Sequence, residues 1–252
     1  MPKAYLTIDD SPSSQMGTLC DALAKCQIPV LFFCRGDYLE NYLDQAVSAI
    51  NQGFVLANHA YSHRPFGDLS YEECINEIEK TEICIERAYQ EAECQRPGHY
   101  FRFPYLDRGD GDRLERRFDG FIRSAQKGEE VSLPSSDKVK QLQEYLRAQN
   151  FVQPFAGVNH PLYSIADIQN SADCMLTYSS CDWMLRKKYK GSQPCQTQDD
   201  LVQRLQDDPF LCSEEISSII LFHDHPELME SVLYMIQYMQ DQGFEFLEYP
   251  AV

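Results

Sequence analysis

A chain of 252 residues, 43% of them hydrophobic, is long enough to bury one sizeable core and too apolar to stay disordered. Its formal charge of −17 opposes nucleic acid phosphates and anionic lipid head groups, so neither is an expected partner. The same field favours a neutral or cationic substrate over a polyanion, unless a local basic patch overrides it.

In chain order, short β-rich runs alternate with amphipathic stretches. Residues 4–8 read as a first strand and residues 15–26 as a helix. Residues 29–34 form a second β-rich run, followed by a predicted helix over 38–51 with Gly53 just past its end. Residues 54–57 are a third strand candidate. The clearest helix spans 71–89, where Tyr71, Cys74, Ile75, Ile78, Ile85, Ala88 and Tyr89 share one stripe. Ser70 and Glu73 give a capping-box pattern at its start, and Leu69 with Cys74 suits a hydrophobic staple. Residues 100–104, 151–158, 175–179 and 218–222 read as later strands. Pro226 opens a last helix that presents Met229, Val232, Leu233, Ile236 and Met239, and residues 244–247 suit a closing strand. The segment 107–137, rich in Asp, Arg, Gly and Glu, lacks apolar periodicity. It reads as an excursion, either a solvated loop or a flap touching substrate. No apolar run nears the roughly 18 residues that cross a bilayer, so no membrane association is expected.

Repeated strand–helix units predict a parallel sheet in an α/β fold, here a distorted (β/α) barrel with fewer than eight regular strands. One domain is expected over 1–252, with an insertion at about 107–137. The ten cysteines include no Cys-x-x-Cys pair, and the opening residues lack signal-peptide architecture. The expectation is a cytoplasmic protein whose thiols are reduced and packed as small hydrophobes.

In such folds functional groups gather beyond the C-terminal ends of the strands. Asp9 and Asp10 follow the first strand, and His59 and His63 follow the third. Arg102 and Tyr105 end the run beginning at Tyr100, Asp182 and Trp183 follow the run ending at Ser179, and His223 follows Leu221-Phe222. Five strand ends thus deliver polar groups to one mouth. Spacing of four sets two imidazoles on one side of a turn, a metal-ligand spacing.

That arrangement resembles the NodB-like polysaccharide deacetylases, the family-four carbohydrate esterases. Thr7-Ile8-Asp9-Asp10 is similar to the family's first motif, and the resemblance implies that Asp9 is the catalytic base and Asp10 a metal ligand. His59-Ala60-Tyr61-Ser62-His63 resembles the second, implying that both histidines complete the metal triad. Arg102-Phe103-Pro104-Tyr105 resembles the third, with Arg102 orienting the base and the Tyr105 N–H facing the oxyanion. Ser179-Ser180-Cys181-Asp182-Trp183 resembles the fourth, in which Asp182 tunes the catalytic histidine, and Leu221-Phe222-His223 the fifth, in which His223 is the general acid. Ala60 departs from the usual Ser or Thr, and Ser179 from the usual Asp.

The chemistry closes on these residues. Two imidazoles and a carboxylate leave a divalent ion with open positions, and the donors suit Zn, with Co or Ni compatible. Asp9 and Asp10, adjacent on a strand end, should point in opposite directions, so that one faces the metal while the other, carried by the bend into the loop, faces the attacking water. The resemblance implies removal of an N-acetyl group from an amino-sugar or oligosaccharide substrate. Two alternatives stand beside it: a same-fold hydrolase of a small non-sugar amide, formamide or cyclic imide, and an inactive relative binding metal and glycan. His225 reads as part of the opening of the last helix, His99 and His160 as structural, and Trp183 as either a sugar platform or a packed wall. The Asp-rich run 107–112 lacks the EF-hand spacing for calcium.

Overall fold

Lys3–Ser11 (β1) is buried on both sides because its alternate residues meet different cores. Ala4, Leu6 and Ile8 pack outward under helices, whereas Tyr5 and Thr7 face inward. In this computed structural model, which describes residues 1–155 and 157–249, β1 leads to helix α1 (Met16–Lys25) and to β2 (Val30–Cys34). Then come α2 (Gly36–Asn41), α3 (Leu43–Asn51), β3 (Val55–Asn58), α4 (Tyr71–Glu91), α5 (Phe118–Gln126) and α6 (Asp137–Ala148). The chain continues through α7 (Ala166–Gln169), β4 (Tyr178–Ser179), α8 (Gln198–Asp207), β5 (Ser217–His223), α9 (Met229–Asp241) and β6 (Glu245–Phe246).

The strands run parallel in the order β3-β2-β1-β5-β4, with β6 beside the start of β1. The same inside–outside alternation recurs on β2, where Val30, Phe32 and Cys34 face the helical layer and Leu31 and Phe33 face in. Between β3 and β4 the ring is completed by irregular chain. Asn58 pairs with Phe101 through an isolated bridge, and Cys174 N–H bonds the Phe101 carbonyl at 2.6 Å. The result is the expected distorted barrel, a parallel ring with six regular strands among the described residues. No helix is long and apolar enough to cross a membrane among the described residues.

Several boundaries differ from the sequence reading. The helix expected over 38–51 is two helices, because Tyr42 (φ −133°, ψ 40°) leaves helical space between α2 and α3. Residues 100–104 and 151–158 contribute single bridges rather than strands, and Ala156 lies outside the described residues. Of 175–179 only Tyr178–Ser179 pairs as a strand, and the last helix starts at Met229 after a turn from Pro226. The capping box on α4 is formed in both directions: Glu73 N–H donates to Ser70 Oγ at 3.2 Å, and Ser70 N–H donates to Glu73 Oε2 at 2.7 Å. The ten cysteines are free, six of them buried.

The segment 107–137 is not a solvated loop. It contains α5 and sinks Leu114, Phe118, Ile122 and Leu133 into the inner core. Spacing of four between Leu114, Phe118 and Ile122 was the visible helical signal. Its start is pinned by Asp107, whose carboxylate accepts N–H bonds from Gly67, Gly109 and Gly111, so the Asp-rich run serves a turn. At Gly67 a side chain would not fit, since a Cβ there meets Gly111 N at 2.5 Å. Arg108 then pairs with buried Asp173 at 2.7 Å. Because Phe118 is buried, Phe118→Ala should cost about 3 kcal/mol of stability in urea unfolding. An unchanged unfolding midpoint would return this segment to the solvated-loop reading.

Candidate active site

Two neighbouring strands set the first pair of groups. The β1–β5 register places Asp9 directly opposite His223 at the barrel mouth. Asp9 continues the inward face of Tyr5 and Thr7, so the pleat alone aims it into the mouth. Asp10 would then point outward, but it does not. Its backbone is left-handed (φ 59°) where the β1–β2 register slips between Ile8 and Ser11, and this turns the second carboxylate into the same cleft. The bend expected to carry Asp9 toward the water instead carries Asp10: the pleat aims Asp9, and the bulge turns Asp10.

Arg102 underlies both. Its Nη1 donates to Asp9 Oδ1 at 2.7 Å and to Thr7 Oγ1 at 2.9 Å, its Nε donates to the Cys174 carbonyl at 3.1 Å, and the guanidinium lies 4.0 Å from the Phe33 ring centroid. The Arg102 carbonyl receives a bond from His59 Nδ1 at 2.8 Å. A carbonyl only accepts, so Nδ1 carries the proton and Nε2 offers its lone pair toward the cleft.

His63 follows one turn later in a left-handed conformation (φ 58°), its Nε2 3.4 Å from Asp10 Oδ1. Ligand atoms of Asp10, His59 and His63 all lie within 4.8 Å of one another. Burial pushes His59 down and takes His63 to about 4, so both rings are neutral at pH 7 and free to ligate. Burial pushes Asp10 up, but the facing His63, His223, His59 and Arg35 outweigh it and hold the carboxyl at about 2. Asp10 Oδ1 is buried without a hydrogen-bond donor among the described residues. An ionised, unpartnered oxygen beside two neutral imidazoles fits a divalent cation.

On the other wall Asp182 accepts His223 Nδ1–H at 2.7 Å and the His223 backbone N–H at 2.8 Å, and Ser180 Oγ donates to the same carboxylate at 2.9 Å. Burial pushes the His223 imidazole down, but Asp182 and the nearby Asp10 and Asp9 outweigh it and raise it to about 9. His223 is therefore an imidazolium at neutral pH, with Nε2–H left for the cleft. Tyr105 (φ 58°) sits beyond, its ring 4.6 Å from that of His63.

The cleft, of about 400 Å³, is lined by all eight expected site residues except Asp182, which is buried behind His223. Sequence reasoning missed Arg35, Tyr38, Arg113, Glu115, Arg186, Lys188 and Tyr189. The basic–aromatic run 186–189 just after the fourth motif was the available signal; Arg113 and Glu115 could be placed only by the fold. Trp183 lines the cleft with Tyr189 edge-on at 5.1 Å. Ala60 leaves no gap in the loop, because its N–H bonds Asn58 Oδ1 at 2.8 Å and Glu77 holds Ser62. Ser179 lines the cleft and touches Cys181 Sγ at 3.7 Å. His160 caps Leu162 N–H, His225 accepts from Glu227 N–H, and His99 pairs with Glu82. A second acidic–histidine group, Glu82, Glu86 and His99, is filled by the Arg96 guanidinium, 2.6 Å from Glu82 and 2.8 Å from Glu86.

Residues 1–117 match the polysaccharide deacetylase family model, a stretch that holds Asp9 through Tyr105 but not Asp182 or His223. Over that stretch, just under half of its length, the chain is similar to the NodB-like members of that family. A chitooligosaccharide deacetylase from Rhizobium leguminosarum bv. trifolii is 29% identical over 97 residues, 38% of this chain and 45% of that protein. A peptidoglycan-N-acetylglucosamine deacetylase from Bacillus cereus is 31% identical over 83 residues, 32% of this chain and 30% of that protein. The matches thus span less than half of either relative. The likeness of fold extends over the rest of the chain: a family 4 carbohydrate esterase from Streptomyces lividans aligns at TM-score 0.58 and 18% identity, covering 96% of this chain and 90% of that one. A family pseudoenzyme from Bacillus anthracis aligns at 0.59 and 18% identity, over 97% and 62%. Fold therefore does not decide activity within the family, and the site residues must.

The His223–Asp182 pair can be checked without turnover. In metal-free protein the His223 ring should titrate near 9 by nitrogen-15 NMR, above its ordinary 6.5. In Asp182→Asn the imidazolium loses its partner while burial still opposes charge, so the midpoint should fall to the ordinary value or below. A midpoint unmoved by that substitution would show that Asp182 does not set it.

Proposed function

We propose that this chain is a metal-dependent hydrolase that removes an N-acyl group, foremost N-acetyl, from an amino-sugar substrate. The observation that carries the reading is one cleft holding three sets: Asp9 paired to Arg102, the Asp10–His59–His63 triad, and His223 paired to Asp182. The two curated relatives, named as deacetylases of chitooligosaccharide and of peptidoglycan N-acetylglucosamine, support the substrate class. So do Trp183, Tyr189, Tyr38 and Tyr105 around the cleft, since aromatic faces suit sugar rings better than a small imide.

A divalent ion held by Asp10, His59 and His63, with zinc the best match to these donors and cobalt or nickel compatible, would supply Lewis-acid polarisation of the amide carbonyl and acidify the attacking water. Asp9 takes the proton from that water, its carboxylate aimed by the 2.7 Å bond from Arg102. The Tyr105 backbone N–H stabilises the developing oxyanion. His223 donates its Nε2 proton to the departing amine, which is otherwise a poor leaving group. Asp182 keeps that imidazole charged and fixes the tautomer from behind. An inactive binder would have no use for Asp9, Arg102 and His223 together, and this favours the catalytic reading.

Asp9→Asn should keep bound metal, because the triad is intact, yet lose about 10²–10⁴-fold in kcat on N-acetylated sugar oligomers. Asp10→Asn should bind metal more weakly and recover part of its activity in excess metal, and His59→Ala should contain less metal by elemental analysis. Acetate release and metal content, measured on all three with formamides and imides as control substrates, test the assignment. If metal rescues Asp9→Asn and not Asp10→Asn, the two carboxylate roles are reversed.

A further inference from the structure

The charge of the cleft runs against that of the chain. Acidic residues outnumber basic ones 39 to 22 in the sequence, yet the cleft is lined by five cations, Arg35, Arg102, Arg113, Arg186 and Lys188, against three carboxylates, Asp9, Asp10 and Glu115. Arg102 is used by Asp9, and Arg35 is held by Asp37 at 2.6 Å while reaching Asp10 at 4.0 Å. The other three cations, Arg113, Arg186 and Lys188, form no ion pair among the described residues. Glu115 can offset one of them. Many of the chain's other lysines and arginines are unpaired too among the described residues; what sets these three apart is that they line the same cleft as the acyl site.

The cations are also displayed on built structure. Residues 182–189 fold into two short 3-10 turns, the first opening at Asp182, tied by Met184 N–H to the Cys181 carbonyl at 3.0 Å and by Tyr189 N–H to the Arg186 carbonyl at 2.8 Å. Lys187 N–H anchors the turn to Glu227 at 2.9 Å. Lys188 Nζ lies 4.6 Å from the Tyr189 ring centroid, and Trp183 packs on the same ring. The Arg186 Nε is buried with no hydrogen-bond partner among the described residues, a donor held ready beside the cleft. From the 107–137 segment, Arg113 lies over Tyr105 at 4.7 Å. Two separate segments therefore bring donors to the cleft that holds the acyl site.

We propose that the substrate carries an anionic substituent, a carboxylate or a phosphate, beside its acylated nitrogen, and that Arg113, Arg186 and Lys188 bind it. The sugar framework rests on the deacetylase reading; the anion does not. Guanidinium groups bond both oxyanions in a fork, and charge-assisted bonds are the stronger kind. The expectation of a neutral or cationic substrate, drawn from net charge, is replaced by this local one.

Calorimetry on metal-loaded protein with N-acetylglucosamine, a phosphorylated N-acetylglucosamine and N-acetylmuramic acid tests the inference, followed by kcat/KM for deacetylation of each. At least one anionic sugar should bind about tenfold or more tightly than the neutral one, the gain expected from one charge-assisted contact. Which anion binds better tells phosphate from carboxylate. The anionic-to-neutral ratio should shrink in Arg186→Gln and in Lys188→Gln, and with rising salt. Arg113→Gln, at an exposed position in a separate segment, gives a second readout should either of those fail to fold. Equal affinity for all three sugars overturns the inference. Anion preference in binding with no turnover of any sugar keeps it and sinks the deacetylase reading; turnover of all three with equal kcat/KM does the reverse.

Discussion

One fully buried guanidinium connects most of this site. Arg102 is inaccessible to solvent, and its bonds reach Asp9 and Thr7 on β1, the Cys174 carbonyl on the chain that closes the barrel, and the Phe33 face on β2. Its own carbonyl fixes the His59 ring. Burying a charge is costly unless it is paired and hydrogen-bonded, and removal of one partner leaves the other uncompensated. Asp9, with Thr7 and the Cys174 carbonyl, offsets the cost of closing the barrel around Arg102. The base and the first imidazole are thus oriented by the same packing that closes the fold, and no flexible loop has to order them.

The remaining groups are aimed by backbone rather than by packing. Asp10, Ala60, His63, Tyr105 and Cys181 all have φ near +60°, a region that non-glycine residues seldom occupy, and each is a site residue or adjoins one. Each costs free energy and persists only where neighbours fix it. The neighbours are visible. The bulge on β1 holds Asp10, and Asn58 and Glu77 hold the loop that carries His59 through His63. Ala60 at φ 61° lacks the hydroxyl expected there, but Asn58 Oδ1 takes its N–H, so the departure from the motif does not loosen the loop.

This division explains what could be read in advance. The first strand, the strand at 218–222, the α4 helix and the residues at the strand ends were legible because each depends on neighbours two to four positions away. The order of those ends around one mouth followed from parallel topology. Not legible was the direction of Asp10, since strand periodicity gives the opposite side and only the bulge reverses it. Chain closure through 99–102 and 174 was equally hidden, because isolated bridges leave no periodic pattern. Helices α5, α6 and α8 were overlooked amid charged residues. Yet Val139, Leu142 and Leu146 form a buried stripe on α6, and Thr197 with Asp200 caps α8. There the signal existed and polarity masked it.

Net charge misled for a related reason. A sum over the chain describes the far field, and at physiological ionic strength that field is screened over about 8 Å. Carboxylates on the outer faces of α4 or α8 stand behind the barrel wall from a ligand in the mouth, whereas Arg186, Lys188 and Arg113 line it. Inside the cleft, Arg102 is already spent on Asp9, and the carboxylate of Asp10 faces imidazoles, so little negative charge is left to repel an anion. Low-dielectric walls strengthen what remains. A bound divalent ion would add further positive charge at the floor. The sign that a substrate meets is therefore set by the few unpaired side chains that line the cleft, and not by the sum over the chain.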